Sequence, residues 1–365
     1  MNRSFSLYLD LVRFVAACLV YVYHSNLRWL VEEKLPASNY GHSAVVVFFV
    51  LSGYVIAYVT ATKERDWVNY SASRLSRVYS VAIPAILLTL ALDGLGRSIN
   101  PAYYDHPWDQ FLVRTAAALA MLNEVWFVSI TSFSNVPYWS ICYEFWYYVA
   151  FGIYCFAPKR WAVGILLLMA LLLGPKIVLL APLWMMGVWL FHAKAPQAAS
   201  RPLAWGLVLV SSMSIVGFHA LGVGEWLSEW LKALIGPALH RELTFSKFFL
   251  GDYLLGLLVV ANFVGMRQVA DVFWPLLRPV QGLIRWLAGF TFTLYLLHQP
   301  LLMFWGTWID GDAKDHRFWW LTTGAVAVSV VLIGMLTEAR RGALRQKALA
   351  MLGSMQVAFQ ARRAA

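Results

Sequence analysis

Three ionisable residues in the first apolar segment have the types and the spacing that acid–base chemistry requires. Asp10 and Arg13 are three residues apart, so their side chains can pair on a helix. Arg13 and His24 are eleven residues apart, close to three helical turns, so both face the same way about 16 Å apart along the axis. A histidine can serve as a general base or nucleophile, and an arginine can stabilise an anion. The same residues also suit a structural ion pair and an interfacial histidine.

A second set of polar residues lies around Glu144. Ser140, Glu144 and Tyr148 are four residues apart and share one face of a helix, with Trp139 at its start. We expect Glu144 to lie at a depth similar to that of His24, where a carboxylate could orient an imidazole that acts as a base. The other interpretation is a single hydrogen-bonded glutamate within an aromatic belt.

Three other polar sites interrupt or flank apolar segments, and each has a chemical and a structural interpretation. His298 precedes Pro300 in an apolar segment, as a histidine lining a cavity or a satisfied core histidine would. Arg74 and Arg77 share a helix face and can clamp a phosphate, or can anchor the helix at the membrane surface. Ser52 and the glycine after it permit two helices to approach closely.

The composition determines which elements must position these residues. The chain has 365 residues, of which 60% are hydrophobic and 13% are charged. Soluble globular proteins have roughly 45–50% apolar and about 25% charged residues. A soluble enzyme, a disordered chain and a disulfide scaffold are therefore excluded. The three cysteines have no metal-ligand spacing, and no metal site is predicted.

The hydropathy pattern predicts an all-α bundle of about ten transmembrane helices. A helix that crosses the bilayer needs about 20 mostly apolar residues. The segment 111–131 is apolar but contains Arg114 and Glu124, so we predict a re-entrant or interfacial helix there rather than an eleventh span. The predicted spans are residues 5–24, 43–61, 78–95, 140–158, 161–175, 177–193, 203–221, 247–266, 286–306 and 318–338.

The charge distribution sets the orientation. If 111–131 is not counted as a membrane span and the N-terminus is cytoplasmic, most of the 29 Lys and Arg residues fall in cytoplasmic segments. Both termini are then predicted to be cytoplasmic. The net charge of +10 then reflects membrane orientation, and no nucleic-acid partner is expected. Asp10, Glu144 and Asp252 are acidic residues inside predicted spans, where a charge is unfavourable and marks a functional candidate.

Five motifs occur in one order along residues 9–300, and together they resemble the acyltransferase-3 family of integral-membrane acyltransferases. Val46 and Ser80 depart from the family pattern, which often has Asp and Pro at these positions. The motifs are Leu9-Asp10-Leu11-Val12-Arg13 with Arg-x10-His ending at His24, Val47-Phe48-Phe49-Val50-Leu51-Ser52-Gly53, Arg74-x-x-Arg77-Val78-Tyr79, Trp139-Ser140-x-x-x-Glu144 followed by Tyr148, and Tyr295-Leu296-Leu297-His298-x-Pro300.

The resemblance implies transfer of an acyl group, usually acetyl, from a cytoplasmic coenzyme A thioester to a carbohydrate hydroxyl. It implies that His24 is the essential histidine and Arg13 its partner. Asp10, which can pair with Arg13, and Glu144, at the depth of His24, complete the predicted catalytic set. Acetyl-CoA or another acyl-CoA is the expected donor substrate, and no tightly bound cofactor is expected. The remaining candidates follow: Arg74, Arg77 and Tyr79 for donor binding, and Ser52, Trp139, Ser140, Tyr148, Tyr295 and His298 as substrate or tunnel lining.

These observations predict one transmembrane acyltransferase domain over 1–338 and a basic cytoplasmic tail over 339–365, in a bacterial inner membrane. The expected acceptor is an exported carbohydrate, free or lipid-linked. No fused periplasmic hydrolase-like domain is apparent, so we expect the chain to act alone or with a separate periplasmic or polysaccharide-export partner. The alternative is a transporter or flippase of a lipid-linked glycan, or of acyl groups, without transferase chemistry.

Overall fold

The computed structural model describes residues 2–193 and 199–364. Helix accounts for 81% of these described residues, which contain no named strand. The predicted all-α fold is therefore confirmed. The helices are α1 Arg3–Ser25, α2 Gly41–Thr62, α3 Trp67–Ile99, α4 Phe111–Leu119, α5 Trp139–Phe156, α6 Lys159–Leu173, α7 Pro175–His192, α8 Arg201–Ala220, α9 Val223–Ile235, α10 Pro237–Glu242, α11 Phe249–Val269, α12 Trp274–Leu277, α13 Gln281–Ala288, α14 Thr291–Ile309, α15 His316–Leu336 and α16 Arg341–Ala364.

Seven helical segments among the described residues are long and apolar enough to cross a membrane. An eighth is formed if α13 and α14, which meet at a bend of 56°, are counted as one broken span. The count of ten spans stays a prediction. The seven segments are Arg3–Ser25, Ser38–Thr62, Trp67–Ile99, Pro175–His192, Arg201–Ala220, Thr244–Val269 and His316–Val357.

The predicted spans 140–158 and 161–175 correspond to α5 and α6, which are not among these seven segments. Helix α5 has 18 residues, but its aromatic and polar side chains lower its mean hydropathy. Helix α6 has only 15 residues, because Gly174 takes a left-handed φ of 83° and Pro175 starts a new helix.

The segment 111–131 contains a helix, as predicted, but the helix is short and does not extend through the segment. Only α4, with nine residues, is helical there, and its length of about 14 Å is half of what a bilayer requires. Met121 and Trp126 have left-handed φ values of 55° and 53°, which prevent the helix from continuing. The segment is thus a short helix followed by turns, and it does not span as a helix.

Helix α3 begins about three turns before the predicted span 78–95, so Arg74 and Arg77 lie on the helix rather than ahead of it. Asp66 caps its N-terminus by accepting a hydrogen bond from the Asn69 backbone N–H at 2.8 Å. That bond lowers the pKa of the exposed Asp66 carboxyl. Capping therefore extends the helix beyond its apolar run and aligns the two arginines on it.

Pro300 lies inside α14 and does not end it, although a proline in a helix interior usually kinks or breaks the helix. Proline has no backbone N–H, so it cannot donate to the carbonyl of Leu296 one turn earlier. Asn135 supplies the missing donor through Nδ2, at 2.7 Å from the Leu296 oxygen. The break within the predicted span 286–306 instead lies between Ala288 and Thr291, at the bend between α13 and α14.

The described chain forms two compact units. The first comprises Met1–Tyr58, Glu124–Ser129 and Ala170–Thr291. The second comprises Val59–Asn123, Ile130–Met169 and Phe292–Ala365.

In the first unit, α2 and α7 approach so closely that their backbones touch. A Cβ atom on Gly53 would lie 2.0 Å from the Trp184 carbonyl oxygen, and one on Gly187 would lie 2.0 Å from the Val50 carbonyl oxygen. Neither backbone can move away without separating the two helices. The close approach of two helices that Ser52 and Gly53 predict is therefore confirmed.

We expect Gly53→Ala to destabilise the protein by about 3 kcal/mol, at the upper end of the usual range for overpacking. The physical reason is the overlap with backbone rather than with a movable side chain. Thermal unfolding in detergent would measure the effect. Gly206→Ala is the matched control, since nothing lies within 4 Å of that Cβ position in α8, and it should be neutral or slightly stabilising. Equal melting temperatures for the two variants would contradict the prediction.

In the second unit, the C-terminal helix α16 packs against α3. Arg345 donates from Nε to the Ser73 hydroxyl at 2.9 Å and from Nη2 to the Asn69 side-chain oxygen at 3.2 Å. The residues predicted as a basic tail thus include a helix that holds the start of α3, the helix that carries Arg74 and Arg77.

Candidate active site

Helix α1 presents Asp10 and Arg13 as a pair, as their spacing predicts. Arg13 Nη2 lies 3.8 Å from Asp10 Oδ1, and both side chains are about one-fifth exposed. Helix α13 packs against α1, and its Arg285 also acts electrostatically on Asp10. The pairing is confirmed, and any catalytic part that these residues play stays a prediction.

His24 lies in the last turn of α1, which ends at Ser25. Its ring meets the ring of Tyr23 edge to face, with centroids 4.9 Å apart, and it is partly buried. Tyr23 in turn packs on Gly41, where a Cβ would lie 2.3 Å from the tyrosine Cβ. The histidine is therefore fixed where the end of α1 meets the start of α2.

Ser52 is the fourth predicted site residue of the first unit. It lies in α2 and accepts a hydrogen bond from Trp184 Nε1 at 3.2 Å. This contact joins α2 to α7 at the position where their glycines touch. Ser52 therefore has a packing role in the structure, and its predicted role as tunnel lining has no geometric support here.

The second unit fixes the start of α5 through the preceding loop. Asp93 of α3 accepts from the Ser134 backbone N–H at 2.9 Å and from the Ser134 hydroxyl at 2.6 Å. Asn135 binds the Leu296 carbonyl, as described above. Two neighbouring loop residues are thus tied to two different helices, which sets the direction in which α5 begins.

Glu144, Tyr148 and Arg77 form a connected group in the second unit. The Tyr148 hydroxyl donates to Glu144 Oε1 at 2.6 Å and also interacts with Arg77. Arg77 lies over the Phe292 ring at 5.6 Å and within electrostatic reach of Glu144 and Glu338. The backbone N–H and the hydroxyl of Thr293 both donate to Glu338 at 3.0 Å. One arginine therefore balances two carboxylates inside the protein.

Arg74, one turn before Arg77, already has an acidic partner. Its Nη2 lies 2.8 and 2.7 Å from the two carboxylate oxygens of Glu64. The side chains are 11% and 8% exposed. The guanidinium also lies over the rings of Tyr70 and Tyr148, at 5.4 and 5.7 Å. A simple phosphate clamp would require two arginines without acidic partners. Helix α3 therefore does not present such a preformed clamp.

A groove of about 360 Å³ runs between the first half of α3 and the second half of α5. Arg74 and Tyr148 contribute to its wall, and most of the remaining surface is apolar. Its lining residues are Trp67, Tyr70, Ser71, Arg74, Leu75, Phe145, Tyr148, Val149, Gly152, Ile153, Phe156 and Ala157. A groove of this kind suits an extended, mostly apolar chain with a charged group at one end.

Ser140 and Tyr295 join α5 to α14 through their hydroxyls, which are 2.6 Å apart. His298, one turn further along α14, is fully buried. Its Nδ1 lies 3.1 and 2.8 Å from the carbonyl oxygens of Leu294 and Tyr295. Carbonyl oxygens only accept, so Nδ1 carries the proton and Nε2 is the basic nitrogen of the neutral ring.

Tyr79 and Trp139 lie in packing contacts. The Tyr79 hydroxyl donates to the carbonyl of Leu119 at 2.9 Å and so ties α4 to α3. Trp139 is buried against Tyr143, with ring centroids 5.2 Å apart. The geometry gives no support for the predicted roles of Tyr79 in donor binding or of Trp139 in substrate lining.

The sequence did not predict several of the partners in these contacts. Glu64 and Glu338 lie near charged loops, where an acidic residue is common and does not indicate a buried partner. In the first unit, His42 Nε2 lies 2.9 and 3.1 Å from the two carboxylate oxygens of Asp252. Asp252 is recognisable as an acidic residue in an apolar segment, but nothing local indicates that its partner is 210 positions away.

A family model described as an acyltransferase domain matches residues 6–338. The chain belongs to the acyltransferase-3 family. The match includes all the site residues predicted above and confirms the predicted acyltransferase at the level of the family. With its apolar helices, this acyltransferase-3 chain is a multi-pass membrane protein.

One curated relative of this acyltransferase-3 protein is an O-acetyl transferase of Shigella phage Sf6, which is 28% identical over 152 residues. The aligned region covers 40% of this chain and 44% of the relative, so the chain matches less than half of that protein's length. No solved structure matches the chain.

Proposed function

We propose that this protein is a membrane O-acetyltransferase. It transfers an acetyl group from cytoplasmic acetyl-CoA to a hydroxyl of an exported or cell-surface carbohydrate, in a bacterial inner membrane. The observation that carries the proposal is the acyltransferase family match over residues 6–338, and the similarity to a phage O-acetyl transferase supports the choice of acetyl.

His24 is the reacting histidine in this proposal. A general base would take the proton of the acceptor hydroxyl while the thioester C–S bond breaks and the new C–O bond forms. A transient carrier would instead accept the acetyl group on its own nitrogen before passing it on. Arg13, held by Asp10 on the same helix, would help to stabilise negative charge that develops on the carbonyl oxygen.

The groove beside Arg74 is the proposed donor site. The pantetheine arm of acetyl-CoA is long and mostly uncharged, in keeping with an apolar groove, while its phosphates need a cation. Arg74 on the wall would supply that cation, but only after the phosphate displaces Glu64 from it. Donor binding would then exchange one anion for another at the same guanidinium.

Arg74→Ala is expected to weaken coenzyme A binding about 10-fold or more, because one charge-assisted contact is worth roughly 1.5–3 kcal/mol. The measurement is a titration of the melting temperature with coenzyme A. Glu64→Gln should act in the opposite direction, since it removes the competing carboxylate, although it also lowers the stability of the free protein.

Arg65→Ala is the matched control for this donor site. Arg65 follows Glu64 in the chain and is exposed. Its replacement should keep the affinity for coenzyme A within about twofold of the wild-type value, because exposed charges contribute little. If Arg74→Ala binds coenzyme A as tightly as the Arg65 variant does, the groove is not the donor site.

A further inference from the structure

A histidine–carboxylate pair in the first unit remains unused by the function proposed so far. His42 lies in the first turn of α2, and Asp252 lies in the first turn of α11. The carboxylate is 5% exposed and the imidazole 28% exposed, so the pair reaches from the protein interior toward the surface. A carboxylate at a helix N-terminus is stabilised as the anion, which lets it hold a histidine firmly.

The contacts define which nitrogen of His42 can react. A carboxylate only accepts hydrogen bonds, so the N–H of His42 is on Nε2, which meets both oxygens of Asp252. In the neutral ring, Nδ1 then carries the lone pair. An aspartate that fixes the tautomer and direction of a histidine is the arrangement that makes a histidine an effective base.

The position of the pair relates it to His24. Tyr23 of α1 packs directly on Gly41 of α2. His24 follows Tyr23 and His42 follows Gly41, so each histidine backbone is one residue, about 3.8 Å, from that contact. The end of α1 and the start of α2 therefore place two histidines in one neighbourhood of the first unit. His42 also has the Phe248 ring beside it, at 5.0 Å.

We infer that His42, oriented by Asp252, is the base that takes the proton of the acceptor hydroxyl. This inference rests on the proposed function and assigns His24 the carrier route. In the first step the C–S bond of acetyl-CoA breaks, a C–N bond forms at His24, and the imidazole proton leaves with the thiolate as CoA–SH. In the second step the acceptor oxygen forms the ester bond as that C–N bond breaks. The hydroxyl proton passes to His42 Nδ1 and returns to His24.

The test uses native membranes that contain their own acceptor, from cells in which the gene is deleted and each variant of the full chain is produced. Radiolabelled acetyl-CoA is the donor, and label in carbohydrate is measured against the amount of folded protein. His42→Gln keeps an N–H for Asp252 but has no basic nitrogen. We expect it to lower kcat about 100-fold or more and to leave kcat/KM for acetyl-CoA unchanged, because only the second of the two steps is slowed.

Asp252→Asn provides a second, independent test of the inference, which can be used even if His42→Gln fails to fold. It preserves the side-chain volume but removes the charge, and kcat should fall about 10-fold or more at an unchanged kcat/KM for acetyl-CoA. Because the two residues act as a unit, the double variant should be no slower than His42→Gln alone. His219→Gln is the control, since this nearby histidine of α8 packs against the Tyr40 ring, with centroids 3.9 Å apart, and the variant should retain normal transfer.

The outcomes separate the two proposals. If the wild-type chain labels no carbohydrate, the proposed function is wrong. If the wild-type chain labels carbohydrate and both His42→Gln and Asp252→Asn transfer within about threefold of its kcat, the pair only ties α2 to α11, and this inference is overturned. A rise in KM without a change in kcat would also overturn it, because a base for the acceptor acts on the chemical step.

Discussion

His24→Ala should lower carbohydrate O-acetylation roughly 1,000-fold or more while the protein remains folded. The substitution removes the imidazole nitrogen that either takes the proton or carries the acetyl group, and neither part can be replaced by water at a comparable rate. His24 is only partly buried in the last turn of α1, so its loss should disturb packing little. The measurement is mass spectrometry of acetyl esters on surface carbohydrate.

The control for this experiment is His192→Ala, which removes an exposed histidine in the last turn of α7. It should leave acetylation at the wild-type level. Normal acetylation by the His24 variant, at normal protein levels, would exclude the acyltransferase mechanism proposed above. A transporter of lipid-linked glycan would then be the better account of the polar residues on α1.

The second large effect is expected at Arg77, and it concerns stability. Arg77→Ala leaves Glu144 and the buried Glu338 without their shared cation. Removing one partner of a buried ionic group costs about 3–5 kcal/mol, because the remaining charge is desolvated and uncompensated. Equilibrium unfolding in mixed micelles would measure the loss.

The double variant Arg77→Met with Glu338→Gln should recover part of that stability, because one of the two stranded carboxylates is then neutral. Arg160→Ala is the matched surface control, with an expected change within about 0.5 kcal/mol. If the Arg77→Ala variant unfolds at the same denaturant concentration as the wild type, Arg77 does not stabilise the protein by compensating these two carboxylates.

Local features of the fold and the site were predictable from the sequence. Asp10 pairs with Arg13 because residues three apart on a helix are neighbours, and Tyr148 meets Glu144 for the same reason at four residues. The apolar runs also located most of the helices. What the apolar runs could not supply was the length of α3, since the Asp66 cap that starts it is a polar signal outside the run.

Contacts between distant segments were not predictable, because no period in the sequence encodes them. Glu64 reaches Arg74 across the turn between α2 and α3, Ser140 meets Tyr295 from 155 positions away, and His42 meets Asp252 from 210. These contacts changed the picture of the arginine pair most. Spacing predicted either a phosphate clamp or anchors at the membrane surface, whereas the fold provides each arginine with an internal carboxylate partner.

The contact between Asn135 and Leu296 has a consequence for the dynamics of the second unit. The loop that starts α5 is attached at the one carbonyl of α14 that Pro300 leaves without its helical donor. Local opening of that turn of α14 would therefore release the loop at the same moment. In hydrogen exchange, the amides of this turn and of the loop around Asn135 should become deuterated together, as one cooperative opening unit.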